Sequence, residues 1–454
     1  MKRWLIPLLA CLLVACTPEE VIPPSLRPDP GQTDPTPTEP TTPTTPEEPT
    51  PTDPPQPDPL HDKAIPGNFQ LPVVRIVTEE GKPIDSKENY VKADFRFEDP
   101  SGFYMQETVL ERTGKIRGRG NSTWGMPKKP YRIKLDDKTD LFGSPGDKDW
   151  ILLANYSDKT LLRNITAMEL SRVCGMAWTP RMLSVDVYLN EEYIGVYTFC
   201  DHKEVAKDRV NIEVAGADEL EGGYYLEIEE AMDEPVCFQT AAPWNTPVMF
   251  HEPEQPSAAQ QKYVKDWFEG FEAALDHIQG DHDYTSWRAY IDIPSFIDYY
   301  IIQEITKNPD GNVRKSTYLT KEKGKKLEMY HVWDFDITLG NCDYGGFEKP
   351  EGWQMRYVKW YNQLFFDPGF KEDVVARWNE LYPALQKVPD FIDRQYVLMA
   401  GAEARNFERW KILGVKVWPN YYYFATYDAE YAFLKRFYTE RLAWLNGKIN
   451  AKDF

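Results

Sequence analysis

The side-chain pattern changes period once along the chain, near residue 250, and that change limits the architecture more than any other feature. From about 70 to 230, apolar and polar residues alternate in "LPVVRIVTEE", "KKPYRIKLDD", "MLSVDVYLNEEYIGVYTFC" and "GGYYLEIEE". Alternation at period two buries one face of a strand, and the Asn and Gly turns between these runs favour hairpins. One stretch departs from it. "NYSDKTLLRNITAMELSRVCGM" has an apolar stripe through Leu161, Leu162, Ile165, Met168 and Leu170, with Ser157 or Asp158 as N-cap. From about 256 the spacing becomes helical, in "SAAQQKYVKDWFEGFEAALDHI", "IPSFIDYYIIQEITKN" and "EYAFLKRFYTERLAWLNGKI". The pattern predicts a two-lobed α+β protein. A β-rich lobe of about 66–250 carries one helix, and an α-rich lobe of about 251–454 carries a short hairpin.

The chain opens "MKRWLIPLLACLLVAC", two basic residues and an apolar run too short to span a bilayer as a helix. This reads as a secretory signal over residues 1–16. Its last four residues resemble a bacterial lipobox, in which Cys16 is lipidated and becomes the mature N-terminus. Residues 17–65 read as an acidic Pro/Thr-rich tether, since 16 of the 37 prolines fall between 17 and 60. Such a segment buries too little apolar surface to offset its ordering entropy. Extended, it reaches on the order of 100 Å at about 3.1 Å per residue. The expectation is an envelope protein at the outer membrane or cell surface, touching the membrane only through its lipid anchor.

The formal charge is −20, of which about −14 falls on residues 61–454. A surface of that sign excludes non-specific nucleic-acid binding. Cys174, Cys200, Cys237 and Cys342 are widely spaced with no CxxC pair, so a zinc ribbon is excluded too, while disulfides and free thiols both stay open. HExxH, GxSxG, GxxxxGK[ST] and a Rossmann GxGxxG are absent, and the six histidines show no convincing ligand spacing.

A carboxylate site remains. In "HVWDFDITLGN" (331–341), Asp334 and Asp336 would share one face of a strand, with Trp333, Phe335 and Ile337 on the other. Paired carboxylates repel and call for a cation between them. Upstream, "EITKNPDGNVRKSTYL" ends a helix near Lys307, where Pro309 forbids continuation, and turns at Asp310-Gly311-Asn312. Asp310, Asn312, Asp334 and Asp336 would then sit at the ends of one strand pair. Three carboxylates and an amide suit Mg²⁺ or Mn²⁺. In the β-rich half, "IRGRGNSTWGMPKKPYRIKLD" is a glycine-rich turn and a strand from which Lys134 projects, placed to hold nucleotide phosphates. Lys159 and Arg163 lie one turn apart near a helix N-terminus, where anions bind. Glu169 on the same helix is a candidate partner for Lys134.

Together these stretches resemble the spore coat protein H (CotH) kinase family. The likeness runs through "GRGNSTWGMPKKPYRIKLD", "LLANYSDKTLLRN", "YIGVYTFCDHKEVAKDRVNI", "GGYYLEI", "NPDGNVRKSTYL" and "VWDFDITLGN", most of residues 70–345 in the family's order. The resemblance implies a two-lobed atypical protein-kinase-like fold that transfers the ATP γ-phosphoryl group to a protein hydroxyl. It implies Asp310 as the catalytic aspartate and Asp334, with Asp336 nearby, as metal ligands. Asn312 would share the metal site, and Lys134 would bind phosphate. The ordinary kinase HRDxxxxN loop is absent, and Asp201 in "CDHKE" stands where relatives often carry Glu.

The competing reading is an inactive kinase-like lipoprotein that binds glycan or protein, for which "VWPNYYYF" (417–424) offers stacking faces. A glycosidase is disfavoured, because carboxylates at i and i+2 of a strand lie closer than the ~5 Å or more that sugar hydrolysis requires.

Overall fold

The period-two segments close on themselves. The computed structural model describes residues 63–454, so the expected signal, Cys16 and the expected tether up to residue 62 lie outside the described residues. Seven strands, β1 (Val73–Thr78), β2 (Val91–Glu98), β3 (Val109–Gly118), β4 (Tyr131–Leu141), β5 (Ser144–Leu153), β6 (Met182–Leu189) and β7 (Glu192–Asp201), form a closed barrel. Their order is β1-β2-β3-β4-β5-β7-β6. Neighbours are antiparallel except at the closure, where β1 runs parallel to β6 from Val73↔Asp186 to Ile76↔Leu189. Alternation explains the interior: Phe95 and Phe97, Ile133 and Leu135, and Val185 and Val187 all point inward and are buried together. Arg132 and Lys134 face outward from β4.

A helix does interrupt the strands, but α1 spans Arg163–Cys174 and so begins after Lys159. Asp158 accounts for the late start. Its carboxylate accepts hydrogen bonds from the Thr160 N–H (3.1 Å), the Thr160 hydroxyl (2.6 Å) and the Arg163 N–H (2.9 Å). Local side-chain acceptance of this kind competes with helix. Residues 158–162 form a turn instead, with Leu161 at φ +60°.

A second sheet combines β8 (Tyr224–Ile228), β9 (Cys237–Gln239), β10 (Pro247–Glu252), β11 (Thr317–Lys321) and β12 (Leu327–His331), in the order β12-β11-β8-β10-β9. The expected hairpin is β11–β12, yet it does not stand apart in the helical half. β11 pairs with β8 from Thr317↔Ile228 to Lys321↔Tyr224, so one sheet draws on both sides of residue 250. Leu226, Ile228 and Leu319 join the main apolar core, which favours that pairing. The β-rich and helical halves are both present; the barrel and the shared sheet are what the sequence pattern did not convey.

The helices α2 (Ala258–Asp281), α3 (Ile293–Thr306), α4 (Lys359–Leu364), α5 (Pro368–Leu385), α6 (Val388–Leu398), α7 (Ala402–Arg409) and α8 (Tyr427–Asn450) follow. α2 starts with a reciprocal Ser257–Gln260 capping box, and the Asp292 and Thr426 side chains cap α3 and α8. Their core is aromatic: Phe271, Phe296, Tyr300, Trp360 and Phe365 are fully buried. Cys174, Cys200, Cys237 and Cys342 are free. No helix among the described residues is long and apolar enough to cross a membrane.

Candidate active site

Asp310 follows the end of α3, where Lys307 takes a left-handed conformation (φ +51°). The Lys307 ammonium donates to the carbonyls of Gly346, Lys349 and Glu351 at 2.6–2.9 Å, pinning that end. Asn308 then joins two acidic segments. Its Oδ1 accepts from the Asp310 N–H at 2.9 Å, and its Nδ2 donates to the Asp334 carbonyl at 3.3 Å. Gly311 leaves room for the buried Gln303, whose Oε1 would lie 2.3 Å from a Cβ there and would have to shift.

The WDFD segment is not a strand. β12 ends at His331, and Asp334 sits at φ +68°, a conformation that Asp tolerates better than most residues. Side-chain amides hold this loop in place of ladder bonds. Asn164 accepts from the Phe335 N–H at 2.9 Å, and Asn341 donates to the Asp336 carbonyl at 2.7 Å. Asn420 donates in turn to Asn341 (2.7 Å) and to the Ser157 carbonyl (2.8 Å). The two carboxyls still meet, with Asp336 hydrogen-bonded to Asp334. Ser157 donates to Asp336 Oδ2 at a long 3.5 Å. Asp334 and Asp336 therefore do not share a strand face as the spacing predicts, although their carboxyls are neighbours.

Each acid holds its proton unusually tightly. Burial and the neighbouring Asp334 push the Asp310 carboxyl up to about 7, although Lys315 Nζ stands 4.0 Å from its Oδ1. Burial raises Asp334, opposed by Arg119 and Lys203. Burial, followed by Asp334, Asp158 and Asp310, raises Asp336 well above the usual carboxylate range. Desolvation and like charge act in the same direction here. Perturbed carboxylates gathered in one place are a mark of functional sites.

The cations beside Asp334 are not those the sequence singled out. Lys134 pairs with Asp149 at 3.4 Å on the outer barrel face, with 43% of its side chain exposed. Glu169 pairs with Arg172 at 2.7 Å, not with Lys134. Lys159 precedes α1 rather than sharing its first turn, and donates to the Val415 carbonyl (2.6 Å) and Asn420 Oδ1 (2.9 Å). Arg163 binds Asp158 at 2.6 Å and the Thr338 carbonyl at 2.9 Å, supporting the acidic loop from behind. Arg119 of the glycine-rich turn and Lys203 of "CDHKE" take the place beside Asp334. Both reach toward the Trp333 ring, at 5.8 and 5.2 Å from its centroid. Arg119, Lys203 and Glu227 all fall in stretches that carry the family likeness, so their segments were legible although their roles were not.

Among the described residues, no group of three or more His, Cys, Asp or Glu side chains converges as a metal centre. The four-ligand set expected from sequence is therefore not assembled by protein atoms alone. Magnesium in phosphoryl-transfer sites commonly takes one or two carboxylates and completes its shell with water and phosphate oxygens. Asp334 and Asp336 are a carboxylate pair of that kind. Asn312 donates to the Pro309 carbonyl at 2.8 Å, while its buried Oδ1 accepts nothing from the protein. The donor chemistry fits a hard divalent cation.

An α+β protein in which a glycine-rich turn and a lysine face clustered aspartates has the parts that phosphoryl transfer uses. The family model described as CotH kinase protein matches residues 116–445, most of the chain, and the protein belongs to that family. No curated protein matches it.

Proposed function

We propose that this protein is a metal-dependent phosphotransferase that moves the γ-phosphoryl group of ATP to hydroxyl groups of secreted or surface proteins. The observation that carries the reading is that the buried Asp310, Asp334 and Asp336 act on one another electrostatically, with Arg119 and Lys203 acting on Asp334. Asp334 and Asp336 would hold Mg²⁺ or Mn²⁺, with Asn312 Oδ1 as a further oxygen donor. A bound cation supplies charge neutralisation for the phosphates. Lys203 and Arg119 would neutralise phosphate oxygens. Asp310 accepts the acceptor hydroxyl's proton, and a carboxyl set near 7 suits that exchange at neutral pH. Membrane attachment through a lipid at Cys16 would place the domain in the cell envelope, on a tether long enough to reach partners.

The test is transfer of label from γ-labelled ATP to the protein itself or to casein, with Mg²⁺ or Mn²⁺ present. Label lost in both Asp310→Ala and Asp334→Ala supports the reading; no transfer and no metal-dependent thermal shift with ATP overturns it.

One observation favours a second reading, a binding module for glycan or protein. Trp418, Tyr421, Tyr422 and Tyr423 between α7 and α8 are exposed by 41–57%. They are displayed on a backbone fixed by the buried Asn420. Retained glycan binding after loss of the acidic residues would distinguish it.

A further inference from the structure

His251 occupies an irregular position in the second sheet. Along β10 and β8 the register runs Phe250↔Leu226 and then Glu252↔Tyr225, so His251 is the extra residue of a β-bulge. Bulges re-aim side chains and are common beside active sites. This one turns the imidazole onto the face of Glu227, with Nε2 2.6 Å from Glu227 Oε2. The ring is layered with Tyr225 (centroids 5.1 Å apart) and with Tyr318 (6.1 Å, planes 22° apart).

Glu227 is the middle member of a chain. Lys203 interacts with Glu227 and with Asp334, and its ammonium donates to the Tyr318 hydroxyl while lying 4.0 Å from that ring's centroid. Tyr318 is directly opposite Glu227 in the β8–β11 pairing. Burial alone would raise the Glu227 carboxyl, but Lys203 and His251 outweigh it and hold it down at about 2. On the far side, His251 Nδ1 is 3.7 Å from Glu234, whose side chain is 40% exposed.

We propose that His251 is a positioning residue for Lys203. By donating to Glu227 at 2.6 Å, it satisfies part of that carboxylate and leaves Lys203 free to serve a phosphate next to Asp334. The inference rests on the phosphotransferase reading and identifies how that site holds its lysine. A buried carboxylate that loses a donor does not stay unpaired, because an unmet charge in the interior is costly. Without His251 the carboxylate draws Lys203 back.

His251→Phe keeps a ring between Tyr225 and Tyr318 and removes the donor; His251→Gln keeps a donor. In the Phe variant the KM for ATP rises about tenfold while kcat stays within about threefold, and the Gln variant recovers most of the KM. Equal losses of kcat in both variants, or no change in either, overturn the proposal.

A second measurement needs no ATP. The groups facing His251 are Glu227 and Tyr225 from β8, Tyr318 from β11, His331 from β12, Glu252 from its own strand, Glu234 and Lys203. Lys203→Met removes the ammonium from Glu227 and leaves the carboxylate to His251 and Tyr318. The His251 ring signals, followed by nitrogen NMR at one pH, move in that variant, and the change disappears when Glu227→Gln is added. Unmoved His251 signals overturn the coupling. Moved signals in a protein that transfers no phosphoryl group preserve the coupling and remove the phosphotransferase reading instead.

Discussion

Glu304 Oε1 and Arg441 Nη2 lie 2.5 Å apart with 2% and 0% of their side chains exposed, and this pair fixes α3 to α8 beneath the acidic site. Glu304 also accepts from the N–H groups of Gln354 (2.7 Å) and Arg356 (2.9 Å). Arg441 donates to the carbonyls of Pro350 and Gly352, at 2.8 and 2.7 Å. Breaking one side of a buried pair strands the other charge. Glu304→Gln or Arg441→Met is therefore expected to lower stability by about 3–5 kcal/mol in urea unfolding. An effect near that of an exposed pair would mean water reaches the site.

Lys203 and Lys134 separate the structural assignment from the sequence-based one. Lys203→Met is expected to lower kcat/KM for ATP about 100-fold, the order seen when one charge-stabilising donor is removed. Lys134 pairs with Asp149 on an exposed face. Lys134→Met should change activity by less than about threefold and stability by less than about 0.5 kcal/mol. The reverse ranking would return the phosphate lysine to β4.

The Asp310 carboxyl gives the free protein a pH dependence of definite sign. Its ordinary value is 3.8, and burial with Asp334 nearby takes it to about 7 in the fold. Between those values the native state binds the proton that the unfolded state has released. This group's contribution to stability is thus fully present below 3.8 and lost as pH rises through about 7. Asp310→Asn should flatten the melting profile across that window. It should also make the metal-free protein more stable than wild type at pH 8, by on the order of 2 kcal/mol. A profile identical to wild type would mean that Asp310 titrates as an ordinary aspartate.

Metal and nucleotide should offset the mutual repulsion of the acids. A ligand at 100 times its Kd raises stability by about 2.7 kcal/mol. Mg²⁺ with ATP is accordingly expected to raise the Tm of wild type but not of Asp334→Asn or Asp336→Asn, read by differential scanning fluorimetry. A rise that persists in both variants would place the cation elsewhere.

The sequence disclosed local features and missed those joined over distance. Ile133 and Leu135 alternate with Arg132 and Lys134, so β4 and its outward cations were legible. The meeting of Asp334 and Asp336 was legible from their spacing, although a left-handed Asp334 and four asparagines, not a strand, produce it. The parallel β1–β6 pairing has no local signature, because it links Val73 to Asp186 across four intervening strands and α1. The role of Lys203 is hidden for the same reason: its partners Glu227 and Asp334 lie in other segments, and only the folded chain brings them to it.

The barrel's closure has a practical consequence for anyone preparing this domain. The family match begins at residue 116, but β1, β2 and most of β3 precede it and complete the ring. A fragment trimmed to the match would leave β4 and β6 as bare sheet margins, each with a row of unpaired amides and carbonyls, above an opened apolar interior. Such margins recruit further chains. The shortest well-behaved fragment should start before Leu71, and insolubility of a shorter one would say nothing against the protein's activity.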